Sequence, residues 1–181
     1  MYQEFIENNF ELDTAVVLTT KKLNPPVNFN PQFQLRKITS EHDWLEVLKL
    51  QTLCADPKHL NANYAAFKRR QMAEYRKMAE AGLGCWFGAF TDGQLIADLG
   101  IFFEGQFGRY RNVGTHPDHR RKGYCGSLVY LAGLIAFKEF GVSDLIMEAD
   151  TEYHAAKIYE SVGFERREEN FALSWWRGKN P

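Results

Sequence analysis

A basic loop with two glycines carries the residues best suited to chemistry in this 181-residue chain. Arg120, Arg121 and Lys122 are consecutive cations, and Gly123 and Gly126 follow them closely. An apolar-alternating run precedes the loop, and an apolar helical pattern starts directly after it. Glycines let a backbone approach its ligand, and the free N–H groups and dipole of a helix N-terminus favour anions. The pattern predicts a phosphate-binding loop; the alternative is an exposed loop whose cations are merely solvated.

The composition limits the classes of protein that need to be considered. A net charge of −1 and a pI of about 6.5 argue against general binding to nucleic acid or to a membrane surface. The apolar fraction of 45% is enough for a substantial core. Cys54, Cys85 and Cys125 form no C-x-x-C pair, which argues against a disulfide framework or a metal site. Without a signal peptide or a long apolar run, we expect a cytoplasmic protein.

The first half of the chain predicts an arm followed by a strand and two helices. Residues 1–31 are interpreted as an N-terminal arm and residues 32–181 as the main domain. Within the domain, 33–38 alternates like a strand, and Ser40 has the position of a helix N-cap. A second helix is predicted for 64–81, with its basic residues on a solvated face; the alternative is that they form a binding patch. These basic residues include Lys68, Arg69 and Arg70.

The second half predicts a three-stranded meander, the basic loop and an alternation of helix and strand. Asp92-Gly93 is a strong hairpin signal, and Gly105-Gln106 offers a second turn. A strand reached through the helix after the loop must run parallel to the strand before it. The predicted strands are 85–90, 94–103, 107–115, 145–149 and 171–176, and the last helix is 154–162.

This order of elements, over residues 33–176, resembles the GNAT superfamily of acyl-CoA-dependent N-acetyltransferases. Two motifs carry the resemblance. Arg120, Gly123 and Cys125 fall on the family's loop pattern of Arg or Gln, two residues, Gly, one residue, and Gly or Ala. The second motif, Ala156-Lys157-Ile158-Tyr159-Glu160-Ser161-Val162-Gly163-Phe164, is similar to the family's Ala-x-x-x-Tyr-x-x-x-Gly-Phe helix. The implied fold is α+β, with a mixed, mostly antiparallel twisted sheet of six to seven strands and about four helices.

The chain departs from the family pattern at two positions. Cys125 replaces the usual Gly or Ala of the loop, and Tyr153 stands where many members carry Asn. A Rossmann nucleotide module is disfavoured because a meander precedes the loop and no G-x-G-x-x-G fingerprint is present.

The resemblance implies acetyl-CoA as cosubstrate and no metal. The pyrophosphate is expected against the backbone N–H groups of 121–126, and the pantetheine arm beside the end of the preceding strand. The implied cofactor-binding residues are Val113, Gly114, Thr115, Arg120, Arg121, Lys122, Gly123, Tyr124, Cys125, Gly126 and Ser127.

The resemblance also implies a general acid, Tyr159, which would protonate the departing thiolate. A phenol titrates near pKa 10, close to an alkyl thiol, so this proton transfer is nearly balanced. The alternative for Tyr159 is a core aromatic on an amphipathic helix. A backbone N–H on the strand of Val113 would stabilise the oxyanion.

Several residues are weak candidates for the general base. Asp98 and Glu104 share one side of their strand if the alternation is unbroken. Glu148 and Asp150 lie at the end of another strand, and His116 lies beside the loop, where it could also simply end the strand. Proton transfer through ordered water is a further possibility.

Two arginines are candidates for contacts with the acceptor. Alternation places Arg109 and Arg111 on one face together with Phe107, Val113 and Thr115. They would bind a carboxylate or phosphate of the acceptor if this face lines the cleft, and would be ordinary surface otherwise. Most of the aromatic residues, among them Trp86, Phe87, Phe102, Phe103, Trp175 and Trp176, are expected in the core.

The sequence thus favours an enzyme that transfers an acetyl group from acetyl-CoA to a primary amine by direct attack. The alternatives are transfer of another acyl group, or to another nucleophile, and a non-catalytic acyl-CoA-binding or regulatory domain. We expect no nucleic-acid or membrane partner. The N-terminal arm and the aromatic last strand are compatible with a homodimer.

Overall fold

The structure, a computed structural model, describes residues 2–55, 63–151 and 155–175. In this part of the chain, one seven-stranded sheet has the order β2-β3-β4-β5-β6-β1-β7. The strands are β1 (Glu11–Thr20), β2 (Gln34–Lys37), β3 (Gly84–Thr91), β4 (Gln94–Glu104), β5 (Phe107–Thr115), β6 (Asp144–Asp150) and β7 (Glu165–Ser174). The helices are α1 (Gln3–Glu7), α2 (Glu41–Leu53), α3 (Tyr64–Glu80), α4 (Tyr124–Glu139) and α5 (Ala155–Ser161).

Local signals in the sequence explain several of these boundaries. Ser40 accepts a hydrogen bond from the backbone N–H of Asp43 and caps α2, as predicted. Asp92 and Gly93 have φ values of 51° and 80°, so they form the tight turn between β3 and β4. Strands β3, β4 and β5 are antiparallel neighbours, whereas β5 and β6 are parallel, which confirms the predicted α+β architecture with its mixed sheet.

The helices cover the two faces of the sheet unequally. Helices α4 and α5 pack on one face, where Leu128, Val129 and Tyr159 join Leu99 and Met147 in the larger core. Helices α2 and α3 cover β3, β4 and β5 on the other face. The smaller core on that face contains Trp44, Val47, Met72, Trp86 and Phe102. Loops between the two layers can therefore reach the end of β5 from either side.

The segment before residue 32 contributes a strand to the sheet. Strand β1 lies between β6 and β7 and is antiparallel to both. Val16 and Leu18 of this strand point into the larger core. The division into an arm, 1–31, and a domain, 32–181, stays a prediction about where folding units begin and end. The short helix α1 makes the number of described α-helices five rather than the four expected.

The aromatic residues divide between core and surface. Trp86, Phe87 and Phe102 are buried as predicted. Trp175 follows the edge strand β7 and is 55% exposed, so it is not among the aromatic residues of the core. Trp176 lies outside the described residues. None of the described helices is both long and apolar enough to cross a membrane.

Candidate active site

The parallel strands β5 and β6 separate soon after they begin to pair. Their register runs only from Phe107 opposite Asp144 to Arg109 opposite Ile146. Beyond this point β6 continues beside β1 as far as Asp150, and β5 continues beside β4 as far as Thr115. The second half of β5 therefore has a strand neighbour on one side only. Among the described residues, its other side opens into a wedge-shaped gap where an extended ligand could pair with the backbone.

A β-bulge in β5 lies at this gap. Asp98 opposes Gly114 and Gly100 opposes Arg111, so β5 contains one more residue than β4 over this stretch. The extra turn of the backbone is at Asn112, which has a positive φ of 48°.

Beyond the bulge, odd-numbered side chains of β5 point to the opposite face of the sheet. Arg111 and Gly114 lie on the α2–α3 side, whereas Val113 and Thr115 point to the α4 side. The prediction that Arg109 and Arg111 share a face with Val113 and Thr115 was therefore wrong, because simple alternation ends at the bulge.

The basic loop has the geometry of an anion cradle. The left-handed Gly123, with φ of 82°, is the N-cap of α4, and Arg121 also has a positive φ of 59°. The first backbone bond of α4 runs from Ser127 N to Gly123 O at 3.1 Å. The N–H groups of the three residues before Ser127, namely Tyr124, Cys125 and Gly126, are therefore outside the ladder of the helix. These are the groups that the sequence assigned to a pyrophosphate.

The carbonyl group of Thr115 anchors this loop to the end of β5. It accepts from Arg120 Nε and from Cys54 Sγ, both at 3.2 Å. One of the hydrogen-bond donors of Arg120 is thus used within the protein. Burial raises the pKa of the Cys125 thiol to about 11, so Cys125 stays a thiol at neutral pH and supplies no nucleophile.

A segment that sequence analysis had not linked to the site crosses the start of α4. We call residues 24–33 the crossing segment. The Asn30 N–H donates to Ser127 Oγ at 2.8 Å, and Asn30 Nδ2 donates to the Lys122 carbonyl at 2.8 Å. A Cβ on Gly123 would lie 2.1 Å from the carbonyl oxygen of Asn28. Gly123 is thus required both because its φ is positive and because the crossing segment passes too close for a side chain. No local sequence pattern reveals the second reason.

Asp98 is fully buried beneath the bulge, at 0% exposure. Its carboxylate accepts from Trp86 Nε1 at 2.9 Å and from Gln51 Nε2 at 2.8 Å. Gln51 Nε2 also donates to the Asn112 carbonyl at 2.6 Å. Burial raises the pKa of Asp98 to about 7, while the hydrogen bonds from Trp86 and Gln51 act in the opposite direction. Asp98 therefore braces the bulge and is shielded from direct contact with a substrate.

The other candidate bases do not gather around Asp98. Glu104 shares the side of β4 with Asp98, as expected, but lies six residues further along, about 20 Å away at the rise of a β-strand. It is exposed beside the hairpin turn. His116 Nδ1 accepts from the Asp118 N–H at 3.3 Å and caps the 3₁₀ turn Pro117–His119. Asp150 is at the exposed end of β6.

The two arginines of β5 differ in their partners. Arg109 forms an ion pair with Glu148 of β6 at 2.5 Å, across the last paired residues of the two strands. This contact engages Glu148, another candidate base. Arg111 lies next to the bulge and forms no ion pair with any residue of the described chain.

Tyr159 is on the inner side of α5 and is 5% exposed. Its ring packs edge-on against Phe164, which also contacts Tyr110. The start of α4 lies next to this helix, because a Cβ on Gly126 would be 3.4 Å from Ile158. The neighbouring Tyr153, the second departure from the family pattern, lies outside the described residues.

One residue that sequence analysis missed has a recognisable position in the helical pattern of α2. Gln51 follows Trp44 and Val47 at helical spacing, so a polar side chain occupies the apolar stripe of α2. Such a residue must find a buried partner, which here is Asp98. Lys68, expected on a solvated face, is instead 8% exposed, whereas Arg69 and Arg70 are exposed as predicted.

Comparisons with known proteins agree with this geometry. Residues 82–166 match the family model of the acetyltransferase (GNAT) domain. A GNAT-family protein from Novosphingobium aromaticivorans superposes with a TM-score of 0.62 at 20% identity, over 90% of this chain and 64% of that one. A GCN5-related N-acetyltransferase from Kribbella flavida gives 0.66 at 15% identity, over 96% and 62%. The chain thus spans less than two thirds of the length of either protein.

A third structure contains a bound cofactor. The PaiA N-acetyltransferase from Thermoplasma acidophilum, solved in complex with coenzyme A, superposes with a TM-score of 0.59 at 14% identity, over 71% of this chain and 86% of that one. A search of curated protein sequences found no match. The family match over residues 82–166 and the shared fold support the resemblance to the GNAT superfamily.

Proposed function

We propose that this protein transfers an acetyl group from acetyl-CoA to a primary amine by direct attack in a ternary complex. The observation that carries the proposal is the separation of β5 from β6 after Arg109 and Ile146, directly beside the cradle at Gly123. The match of residues 82–166 to an acetyltransferase family model and the CoA complex of a protein with the same fold support the choice of cofactor.

The described residues fit the shape of such a cofactor. The N–H groups at the start of α4 can bind the pyrophosphate, with Arg121 and Lys122 adding positive charge. The backbone edge of β5 at Val113 can pair with the amides of the pantetheine arm, as a further strand would, and it ends at Thr115, whose carbonyl group is already bonded to Arg120 and Cys54. When bound, the cofactor supplies a thioester whose acyl carbon accepts the attacking amine.

The remaining steps are assigned to groups of this chain. The amine must be neutral to attack, and the carbonyl oxygen of the thioester then becomes an oxyanion, which the Val113 N–H can stabilise. Attack thus forms the C–N bond first; collapse of the oxyanion then restores the carbonyl group and breaks the C–S bond, and Tyr159 gives its proton to the departing thiolate. Because both oxygens of Asp98 are occupied, we assign the proton of the amine to ordered water rather than to a side chain.

The direct test is amine-dependent release of the CoA thiol. The purified protein is incubated with acetyl-CoA and each member of a panel of primary amines, and free thiol and acetylated product are both quantified. The proposal predicts that equal amounts of thiol and N-acetylated product form with at least one amine. Saturable acetyl-CoA binding without any acetylated product would instead indicate a non-catalytic acyl-CoA-binding domain. A cytoplasmic location and a homodimer stay predictions of the sequence.

A further inference from the structure

Lys68 is a buried cation that the proposed mechanism does not use. It lies in the second turn of α3, is 8% exposed, and donates to Gln71 Oε1 at 2.9 Å. An ammonium group has three donors, and no carboxylate of the described chain lies within ion-pair distance of this one. Burial is the main cause that lowers the pKa of Lys68; Asp98 of β4 and Cys54 at the end of α2 act more weakly in the opposite direction. Within the part of the chain that the structure describes, the Lys68 side chain thus has no carboxylate counter-ion.

A single amide group links Lys68 to the bulge of β5. Gln71 Oε1 also accepts from Asn112 Nδ2, at 3.1 Å. Asn112 directly precedes Val113, the proposed oxyanion donor. Arg111, the residue before Asn112, lies on the same face of the sheet and has no ion-pair partner in the described chain. Two cations that have no counter-ion among the described residues therefore flank the backbone at which acetyl transfer is proposed.

We propose that Lys68, with Arg111 beside it, binds a carboxylate of the acceptor, so that the acceptor carries its amine and a carboxylate on one molecule. This inference rests on the proposed acetyltransferase function. A carboxylate would supply the acceptors that the Lys68 ammonium group lacks and would return the pKa of Lys68 towards its ordinary value. The Lys68 ammonium group binds a carboxylate more strongly than a neutral amide. The difference is enough to favour an acid acceptor over its amide by about 10- to 100-fold.

The experiment compares matched acceptors in matched variants. Acetylation of glycine, β-alanine and γ-aminobutyrate is measured against acetylation of the corresponding amides, in the unmodified protein and in Lys68→Met. Methionine keeps the apolar stem and removes the charge. Lys77→Met is the control, because Lys77 is an exposed lysine of the same helix, paired with Glu74. Each acid and its amide differ in the basicity of the amine, and comparing the acid-to-amide ratio between protein variants cancels this difference.

The ratio of kcat/KM for acid over amide is expected to fall about 10- to 100-fold in Lys68→Met, chiefly through KM of the acceptor. It should stay unchanged in Lys77→Met. If the ratio is the same in Lys68→Met while acetyl transfer continues, the carboxylate site is wrong and the acetyltransferase function stands. If acetyl-CoA binds but no amine of any kind is acetylated, both are wrong.

A second measurement uses only the unmodified protein, so it does not depend on whether a variant folds. Amine-directed labelling of the unmodified protein is followed at Lys68 by peptide mapping, with N-acetyl-γ-aminobutyrate or its amide present at equal concentration. The inference predicts protection of Lys68 by the acid and little by the amide, and unchanged labelling of Lys77 in both. Equal labelling of Lys68 under both conditions would overturn it.

Discussion

Asn30 and Ser127 are joined by a hydrogen bond of 2.8 Å although 97 positions separate them in the sequence. Ser127 is fully buried in the first turns of α4, so its hydroxyl oxygen needs an internal partner. The backbone N–H of Asn30 supplies it and thereby fixes the crossing segment on the helix start. The predicted phosphate cradle is consequently formed by two remote parts of the chain.

Replacement of Gly123 by alanine should reveal this packing. Gly93→Ala is the matched control, because Gly93 has a similar φ of 80° but open space around its Cα. A positive φ alone should cost about 1 kcal/mol in either variant. Gly123→Ala must also displace Asn28, so we expect a larger loss of unfolding free energy and weaker acetyl-CoA binding. Urea denaturation and calorimetry check this, and equal losses of stability in the two variants would contradict the close passage.

Tyr159→Phe should separate catalysis from packing. Loss of a general acid lowers kcat by about 100-fold or more, while the affinity for acetyl-CoA should change little because the ring remains. Tyr110→Phe is the control: this tyrosine also packs on Phe164, and its hydroxyl donates to the Val129 carbonyl at 2.8 Å. It should lose about 1 kcal/mol of stability and keep its kcat. Unchanged kcat in Tyr159→Phe would assign Tyr159 to the core alone.

Asp98 should give stability a pH dependence that its amide variant lacks. Its pKa is about 7 in the folded protein against an ordinary value of 3.8. Between these values the folded state holds a proton that the unfolded state has lost, so the contribution of Asp98 to stability falls as pH rises from about 4 to about 7. The slope approaches about 1.4 kcal/mol per pH unit.

The comparison with Asp98→Asn isolates this contribution. The unfolding free energy of the unmodified protein minus that of the variant should decrease across the same pH range in urea titrations. A constant difference between the two proteins would mean that Asp98 titrates normally.

Elements set by neighbouring residues were predictable from the sequence. The cap at Ser40 and the turn at Asp92-Gly93 depend on side chains and backbone angles within a few positions, and both were confirmed. The cradle could be recognised because its cations, glycines and helix start are contiguous. The parallel direction of β5 and β6 was expected because a helical crossover connects them, whereas the point at which the two strands separate was not predicted.

Features set by distant partners were not predictable. The bulge at Asn112 depends on how β5 pairs with β4 and on Gln51 from α2, which lies 61 positions away. Alternation along β5 alone therefore assigned Val113 and Thr115 to the wrong face. The burial of Asp98 and of Lys68 likewise results from the packing of α2 and α3 on the meander, which their immediate neighbours in the sequence do not specify.

Calorimetric titration with acetyl-CoA, with CoA and ATP as comparison ligands, tests the central claim most directly. The cradle at Gly123 and the gap beside Val113 together should bind acetyl-CoA and CoA saturably at one site, because both ligands carry the pyrophosphate and the pantetheine arm. ATP lacks the arm and should bind far more weakly. Failure to bind acetyl-CoA, or equal affinity for ATP, would contradict the assignment of this gap and cradle as an acyl-CoA site.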